Sequence, residues 1–200
     1  MWYSSFLQVK DMLTCVQKYH DGQYRNTPDN PYWIHCIQVG HLLYHALEKN
    51  NDIDNKRKQE DMICAAIGHD LLEDTKISKE ELLSRFNDSV VHWIQEMTNE
   101  DGDYNREKYI QKLHSGSEEA LLIKYCDFIE NTLSVQYSLD ILSKEWLENF
   151  YIPIKEDTFQ LLNVYQKTWV YFPKTANYLQ SMSQYVNNNF NMLVNIYHSI

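Results

Sequence analysis

The sequence predicts an all-α fold in one compact domain, and three observations support that fold class. Two hundred residues with 44% hydrophobic content are enough to bury a sizeable core. The chain holds only five glycines and four prolines, which leaves few turn residues for a many-stranded sheet. Apolar side chains recur at helical spacing, and the first three segments show no strand-like alternation.

Helical spacing accounts for most of the chain, element by element. The first helix is predicted to end near Tyr19, where Asp21-Gly22 and a loop with two prolines interrupt the apolar pattern. A capping-box pattern, Ser78 followed by Glu81, is predicted to begin a short helix. The predicted helices span residues 2–19, 32–49, 61–72, 78–86, 88–97, 104–114 and 118–137.

The C-terminal part of the chain differs in composition from the rest. Residues 146–200 carry 12 of the 27 aromatic side chains. Pro153 and Pro173 are predicted to mark helix boundaries there, because the residue before a proline disfavours the helical conformation. We therefore expect a core of residues 1–145 and an aromatic-rich extension of two or three helices, residues 146–200, packed on it within the same compact domain. A ligand-stacking platform or a face for a second copy of the chain stays open for that extension.

The charge of the chain limits its partners. Eighteen basic and 28 acidic residues give a formal net charge of −10, and the whole excess lies in residues 1–145. A surface of that sign repels nucleic acid and anionic lipid. The chain has no apolar run of roughly 18 residues and no signal-like start, so we expect a cytoplasmic protein without nucleic-acid or membrane partners. A homo-oligomer stays open.

The four cysteines do not form a metal-binding or redox motif. They are widely separated, and none belongs to a CxxC pair. The sequence therefore predicts buried thiols in a reducing compartment. These cysteines are Cys15, Cys36, Cys64 and Cys126.

The segment AAIGHDLLEDT, residues 65–75, carries the chemistry. On a helix, His69 with Glu73 and Asp70 with Asp74 are i,i+4 pairs, so four polar groups crowd one edge. Three carboxylates at such short distances repel one another, so a proton or a cation must balance their charge. Beside an apolar run, a divalent metal is the favoured compensator.

Two other segments are predicted to supply further ligands. His35 lies near the start of the second predicted helix, and Asp127 stands among apolar residues with Asn131 one turn later. His35 and Asp127, together with His69 and Asp70, form a mixed nitrogen and oxygen ligand set. Such a set suits Mn²⁺ better than structural zinc. An ion with open positions lowers the pKa of a bound water and polarises a phosphoryl oxygen.

Four sequence motifs resemble those of a known family. They read His20-x-Gly22-Gln23-x-Arg25, Tyr32-x-x-His35, His69-Asp70-x-x-Glu73-Asp74-Thr75 and Lys124-x-x-Asp127-x-x-x-Asn131. The order of His, His-Asp and Asp resembles the metal signature of the HD phosphohydrolase superfamily. The longer text, over about residues 16–137, resembles the hydrolase domain of RelA/SpoT proteins. The length of 200 residues leaves no room for their synthetase and regulatory domains, so the chain is similar to the stand-alone small alarmone hydrolases.

This resemblance implies an all-helical HD fold and hydrolysis of the 3′-pyrophosphate of an alarmone such as ppGpp, with one Mn²⁺ ion. The products are pyrophosphate and the 5′-nucleotide. Lys124 is a candidate for substrate binding, but neutralisation of the acidic cluster is the alternative that we favour. The implied roles are metal binding for His35, His69, Asp70 and Asp127, catalysis for Glu73 and Asp74, and substrate binding for Arg25, Asn131, Lys124 and Tyr32.

Two departures from the family pattern leave the base of the substrate open. Asn26 stands where the family has a lysine, and Glu130 stands where a neutral or aromatic residue is usual. An adenosine analogue such as pppApp therefore remains an alternative to (p)ppGpp. Two other functions also stay open: an HD-type nucleotidase or phosphodiesterase for another small nucleotide, and a non-catalytic nucleotide-binding or antitoxin protein.

Overall fold

The chain folds into a bundle of helices in a computed structural model, which describes residues 7–25, 29–99, 106–164 and 167–197. Within these ranges there is no strand, only an isolated bridge between Tyr24 and Pro31, so the all-α prediction is confirmed. The helices are α1 Leu7–Tyr19, α2 Trp33–Asn50, α3 Lys56–Ile67, α4 Leu71–Asp74, α5 Lys79–Arg85, α6 Asp88–Met97, α7 Arg106–Ser115, α8 Glu118–Gln136, α9 Lys144–Trp146, α10 Ile152–Val164 and α11 Pro173–Tyr197. The predicted starts of the first helix at Trp2 and of the sixth at Tyr104 lie outside the described residues.

Helix α8 forms the centre of the bundle. It is buried on nearly all sides because α2, α6 and α11 pack around it. A helix that is apolar around most of its circumference can bury its side chains only in such a central position. Asp127 and Glu130, both carried by α8, are therefore buried with it.

Helices α2 and α3 approach each other closely at Gly40. A methyl group at this position would overlap Cγ1 of Ile67 in α3. Gly40 lies five residues after His35, and Ile67 lies two residues before His69. The absence of a side chain at Gly40 thus allows the two histidine-bearing segments to approach.

The third helix differs from the prediction at both ends. It begins at Lys56 instead of residue 61, because Asn55 Oδ1 accepts hydrogen bonds from the backbone N–H of Arg57 at 3.0 Å and of Lys58 at 3.1 Å. It ends at Ile67, and a turn separates it from α4. The predicted single helix over residues 61–72 is therefore wrong: His69 and Asp70 lie in a turn.

The prediction for Pro153 is also wrong. Pro153 is the second residue of α10, which follows a π-helical turn over Leu147–Tyr151 without a break. Ile152 donates its N–H to the carbonyl of Leu147, five residues back. The wider turn fits the helix to a proline that has no N–H of its own. Pro173 does begin a helix, α11, as predicted.

The C-terminal helices contribute to the main core. Leu162 of α10 and Ala176 and Leu179 of α11 belong to the same buried cluster as residues of α1 to α8. A smaller cluster joins α8 to Leu147 and Phe190. The domain division at residues 145 and 146 stays a prediction. The four cysteines are buried and unpaired, and none of the described helices is long and apolar enough to cross a membrane.

Candidate metal centre and active site

The four residues predicted to bind a metal meet at one place. Nε2 of His35 lies 3.4 Å from Oδ2 of Asp70 and 3.3 Å from Oδ1 of Asp127. Nε2 of His69 lies 3.0 Å from Oδ1 of Asp70 and 3.6 Å from Oδ1 of Asp127. Ligand atoms of His35, His69 and Asp70 are therefore close enough together to share one ion, and Asp127 borders both histidines.

These donors fit a divalent ion. Nε2 of His69 is buried and makes no well-oriented hydrogen bond with any described residue, and a buried polar atom without a partner is costly. Adjacent ligands held about 2.1 Å from one ion lie about 3 Å apart, and the observed separations are of that size. The set contains no thiolate, so its chemistry favours an ion such as Mn²⁺.

The protonation of the metal-free site shows how strongly its groups interact. Burial disfavours the charged form of His35, but hydrogen bonds with Asp127 and Asp70 outweigh it and raise its pKa to about 9. Burial likewise opposes protonation of His69, yet the negative charges of Asp70 and Asp127 raise its pKa to about 10. Without an ion, protons on the two histidines therefore balance the two carboxylates.

Local structure places each ligand. His35 lies in the first turn of α2, and Asp127 lies in the middle of α8. His69 and Asp70 occupy the turn between α3 and α4, where Nδ1 of His69 donates to the carbonyl oxygen of Ala66 at 2.9 Å. That bond leaves Nε2 directed at the site and free of the ring proton in the neutral state.

The two predicted catalytic acids lie beside the metal ligands on the short helix α4. Glu73 accepts a hydrogen bond from the backbone N–H of Asn99 at 3.2 Å. Burial and then the nearby charge of Asp70 raise the pKa of Asp74, and burial also raises the pKa of Glu73. Tyr32 stands between two carboxylates, with its hydroxyl 2.8 Å from Oδ2 of Asp70 and 2.9 Å from Oδ2 of Asp74.

Arg25 and Asn131, both predicted to bind substrate, contact each other. The loop of Arg25 is held by two backbone hydrogen bonds, Arg25 N–H to Asn30 at 2.8 Å and Tyr32 N–H to Gln23 at 2.9 Å. One guanidinium nitrogen donates to Glu130 at 2.7 Å, and the other donates to the side-chain oxygen of Asn131. Their predicted contacts with substrate stay predictions.

Lys124 lies where its alternative role requires. Its ammonium group donates to Oδ2 of Asp127 at 2.7 Å. Burial opposes the ionisation of Asp127, but the charge of Lys124 and the hydrogen bond with His35 hold the pKa of that carboxyl well below its usual range. Neutralisation of the acidic cluster is therefore one service that Lys124 provides.

Sequence reasoning assigned no role to three residues at this site. Glu130 contacts Nδ1 of His35 as well as Arg25. His20 is fully buried, stacks on Tyr32 with ring centroids 4.9 Å apart, and hydrogen-bonds Gln23 at 2.7 Å. For Glu130, the sequence signal was its departure from the family pattern. For His20 and Gln23, the signal was their place in the first motif.

Two cavities flank the site. One, of about 360 Å³, is bordered by Ile34, Leu42, Glu130, Leu133 and Ser134, among others. The second, of about 200 Å³, is bordered by Asp127, a predicted metal ligand, and by Lys124, Asn131, Tyr151 and Lys155. Both therefore share a wall with residues of the candidate centre.

Comparison with known proteins supports the family resemblance. The chain is 27% identical, over 157 residues, to a guanosine-3′,5′-bis(diphosphate) 3′-pyrophosphohydrolase from Borreliella burgdorferi. That alignment covers 72% of this chain but only 22% of the relative, so the chain spans less than a quarter of the length of that protein. No protein-family model matches the chain.

The fold is similar to that of a solved structure. A metazoan ortholog of SpoT, described as hydrolysing ppGpp and as having a role in starvation responses, superimposes with a TM-score of 0.68. The match covers 92% of this chain and 95% of the other at 20% sequence identity. This overlap confirms the predicted HD-domain helical fold.

Proposed function

We propose that this chain, which is similar in sequence to a ppGpp hydrolase and in fold to a SpoT ortholog, is a metal-dependent alarmone hydrolase of the HD type. In this proposal it removes the 3′-pyrophosphate of (p)ppGpp or of an adenosine analogue such as pppApp. The products are pyrophosphate and the 5′-nucleotide. Mn²⁺ is the proposed ion.

One observation carries this proposal: two histidines and two aspartates converge beside two further carboxylates. His35, His69, Asp70 and Asp127 would hold the ion. An ion bound there lowers the pKa of a coordinated water and polarises a phosphoryl oxygen. Two further carboxylates, of Glu73 and Asp74 on α4, follow Asp70 at the same edge and supply groups for proton transfer.

The acids on α4 are suited to proton transfer. Burial raises the pKa of Glu73 and of Asp74, which brings both groups nearer to neutral pH, where a general acid or base is most effective. Tyr32 fixes the Asp74 carboxylate through its hydroxyl. Glu73 and Asp74 thus accept a proton from the attacking water and return one to the leaving 3′ oxygen.

The two cavities accommodate the two chemical ends of a nucleotide. The larger one has an apolar side formed by Ile34, Leu42 and Leu133 and polar groups at Glu130 and Ser134, a combination suited to a base. The smaller one is bordered by the ammonium group of Lys124 and the amide of Asn131, which suit phosphate. Asn131, at the wall of the smaller cavity, lies next to Glu130 in the chain and so between the two.

Product analysis tests the proposed reaction. The protein, freed of metal and then loaded with Mn²⁺, is incubated with ppGpp and with pppApp, and the products are resolved by ion-exchange chromatography. We expect pyrophosphate in amounts equal to the 5′-nucleotide, and no turnover after chelation of the metal. Release of orthophosphate would instead indicate the nucleotidase alternative.

A matched pair of variants separates catalysis from folding. Asp70→Asn removes the negative charge of a proposed metal ligand and should lower kcat/KM at least about 1000-fold, because the metal supplies several kcal/mol to the reaction. Asp61→Asn changes another buried aspartate, which instead accepts hydrogen bonds from Gln8 and Asn87, and should stay active. Tight nucleotide binding without turnover in the parent would favour the non-catalytic binder.

A further inference from the structure

Glu130 is a buried carboxylate in contact with a metal ligand. Its side chain accepts from Nδ1 of His35 and, through the same oxygen, from Arg25 at 2.7 Å. The residue is only 6% exposed. A buried carboxylate is stable only when it is paired, and His35 and Arg25 supply that pairing.

The contact fixes the orientation of His35. A neutral imidazole carries its proton on one nitrogen, and the acceptor at Nδ1 keeps it there. Nε2 is then unprotonated and faces Asp70 and Asp127 at 3.4 and 3.3 Å. In metal sites, a carboxylate behind a ligating histidine orients the ring and increases its basicity.

Arg25 extends this support to a second metal ligand. Its other guanidinium nitrogen donates to the oxygen of Asn131, and Nδ2 of Asn131 donates to Oδ1 of Asp127 at 2.5 Å. Glu130 and Asn131, adjacent in α8, are thus bridged by one planar fork of donors. Through them Arg25 joins His35 to Asp127.

We propose that Glu130 is a positioning residue of the metal site, which holds the His35 ring with Nε2 toward the ion and anchors the Arg25 bridge to Asp127. This inference rests on the proposed metal-dependent function. Glu130 lies on the Nδ1 side of His35, opposite the Nε2 that faces Asp70 and Asp127. The acid that departs from the family pattern thereby gains a physical role.

Metal affinity, independent of turnover, tests this role. Mn²⁺ binding to the metal-free protein is measured by isothermal titration calorimetry for the parent, Glu130→Gln and Glu130→Ala. Loss of a partner behind a ligating histidine typically weakens affinity about 10–100-fold. We expect that loss for Glu130→Ala, and a smaller loss of about three- to tenfold for Glu130→Gln, whose amide oxygen still accepts from Nδ1.

Glu119 provides a matched control on the same helix. It is 8% exposed and pairs with Lys58 at 2.6 Å, away from the metal ligands. Glu119→Gln and Glu119→Ala therefore remove a similar buried ion pair from α8. They should leave the dissociation constant for Mn²⁺ within twofold of that of the parent.

The outcomes separate this inference from the function on which it rests. If the parent does not bind Mn²⁺, the proposed function and the inference both fail. If the parent binds and the Glu130 variants match it, or if the Glu119 variants weaken binding equally, only the positioning role is overturned. Should Glu130→Ala not fold, as judged by circular dichroism, the comparison of Glu130→Gln with Glu119→Gln decides.

Discussion

The hydroxyl of Tyr32 lies 2.8 Å from Oδ2 of Asp70, a proposed metal ligand. The same hydroxyl lies 2.9 Å from Asp74, so one proton serves two carboxylates that would otherwise repel each other. Burial and then the charges of Asp70 and Asp74 raise the pKa of Tyr32 far above its usual value, which keeps the donor protonated. Tyr32 therefore connects a metal ligand to a proposed catalytic acid.

Tyr32→Phe should lower the free energy of unfolding of the metal-free protein. The ring remains to stack on His20, but a hydrogen bond to a charged group, worth about 1.5–3 kcal/mol, is lost. Urea denaturation should show a decrease of that size in the free energy of unfolding. Tyr125→Phe, which loses a neutral hydrogen bond of 2.9 Å to Leu162, should cost about 1 kcal/mol. Equal costs for the two variants would contradict the charged character of the Tyr32 contact.

The stability of the metal-free protein should fall as the pH rises from about 7 to 10. The pKa values of His35 and His69 are raised to about 9 and about 10, whereas an unfolded histidine titrates near 6.5. Between these values the folded state binds more protons than the unfolded state, so each unit of pH lowers stability. We expect the Tm to decrease by at least about 5 °C, since about 1 kcal/mol shifts it by about 2–4 °C at this size.

Addition of Mn²⁺ should remove the decrease in Tm between pH 7 and 10. The ion takes the place of the histidine protons in balancing the carboxylates, and fewer protons compete with it for the ligands at high pH. Differential scanning calorimetry at fixed ionic strength, with and without the ion, measures both profiles. His69→Gln should flatten the metal-free profile, while the exposed His92→Gln should not change it. A parent Tm that is constant from pH 7 to 10 would disprove the proton-balanced site.

Glu73→Gln should lower turnover without affecting metal binding. General acid–base catalysis contributes about 10²–10⁴-fold, so kcat should fall at least about 100-fold. Glu73 lies beside the ligand set but is not part of it, and its side chain contacts the backbone of Asn99. The dissociation constant for Mn²⁺ should therefore change less than threefold. The exposed Glu80→Gln is the control, and a kcat within threefold of the parent would exclude Glu73 from proton transfer.

Gly40→Ala should separate α2 from α3 and disturb the metal site from a distance. The new methyl group meets Ile67, and overpacking of this kind typically costs about 1–3 kcal/mol of unfolding free energy. Because His35 and His69 lie on the two separated segments, Mn²⁺ affinity should fall as well. Urea denaturation and calorimetric titration measure the two effects.

Ile67→Ala tests whether that contact is the cause. Alone, it should cost about 2–5 kcal/mol, as is typical of a large side chain removed from a core. In the Gly40→Ala background the cost should be smaller by more than about 1 kcal/mol, since the methyl group of residue 40 occupies the vacated space. Additive costs would show that the two positions do not compete for space.

The grouping of the candidate site residues was predictable from sequence because they are tied to short motifs, whereas the ends of α3 and the helix at Pro153 were not. Helix α3 begins at Lys56, five residues before the predicted start, because the Asn55 side chain caps it. This cap allows the polar residues 56–60, which show no apolar periodicity, to be helical. Gly68 ends the apolar run before the His69-Asp70 pair. Pro153 lies inside a helical run because a π turn accommodates it. Local geometry of this kind does not register in apolar periodicity.

By itself, the sequence determined the all-α class and the identity of the metal ligand candidates, because periodicity and motif spacing are properties of the chain. Only the tertiary structure decided that Glu130 supports His35, that Arg25 bridges Glu130 and Asn131, and that Lys124 pairs with Asp127. Arg25 and Glu130 are separated by 105 positions along the chain. The packing of α2 and the loop before it against α8 makes such residues neighbours, and that packing depends on how all the buried faces fit together.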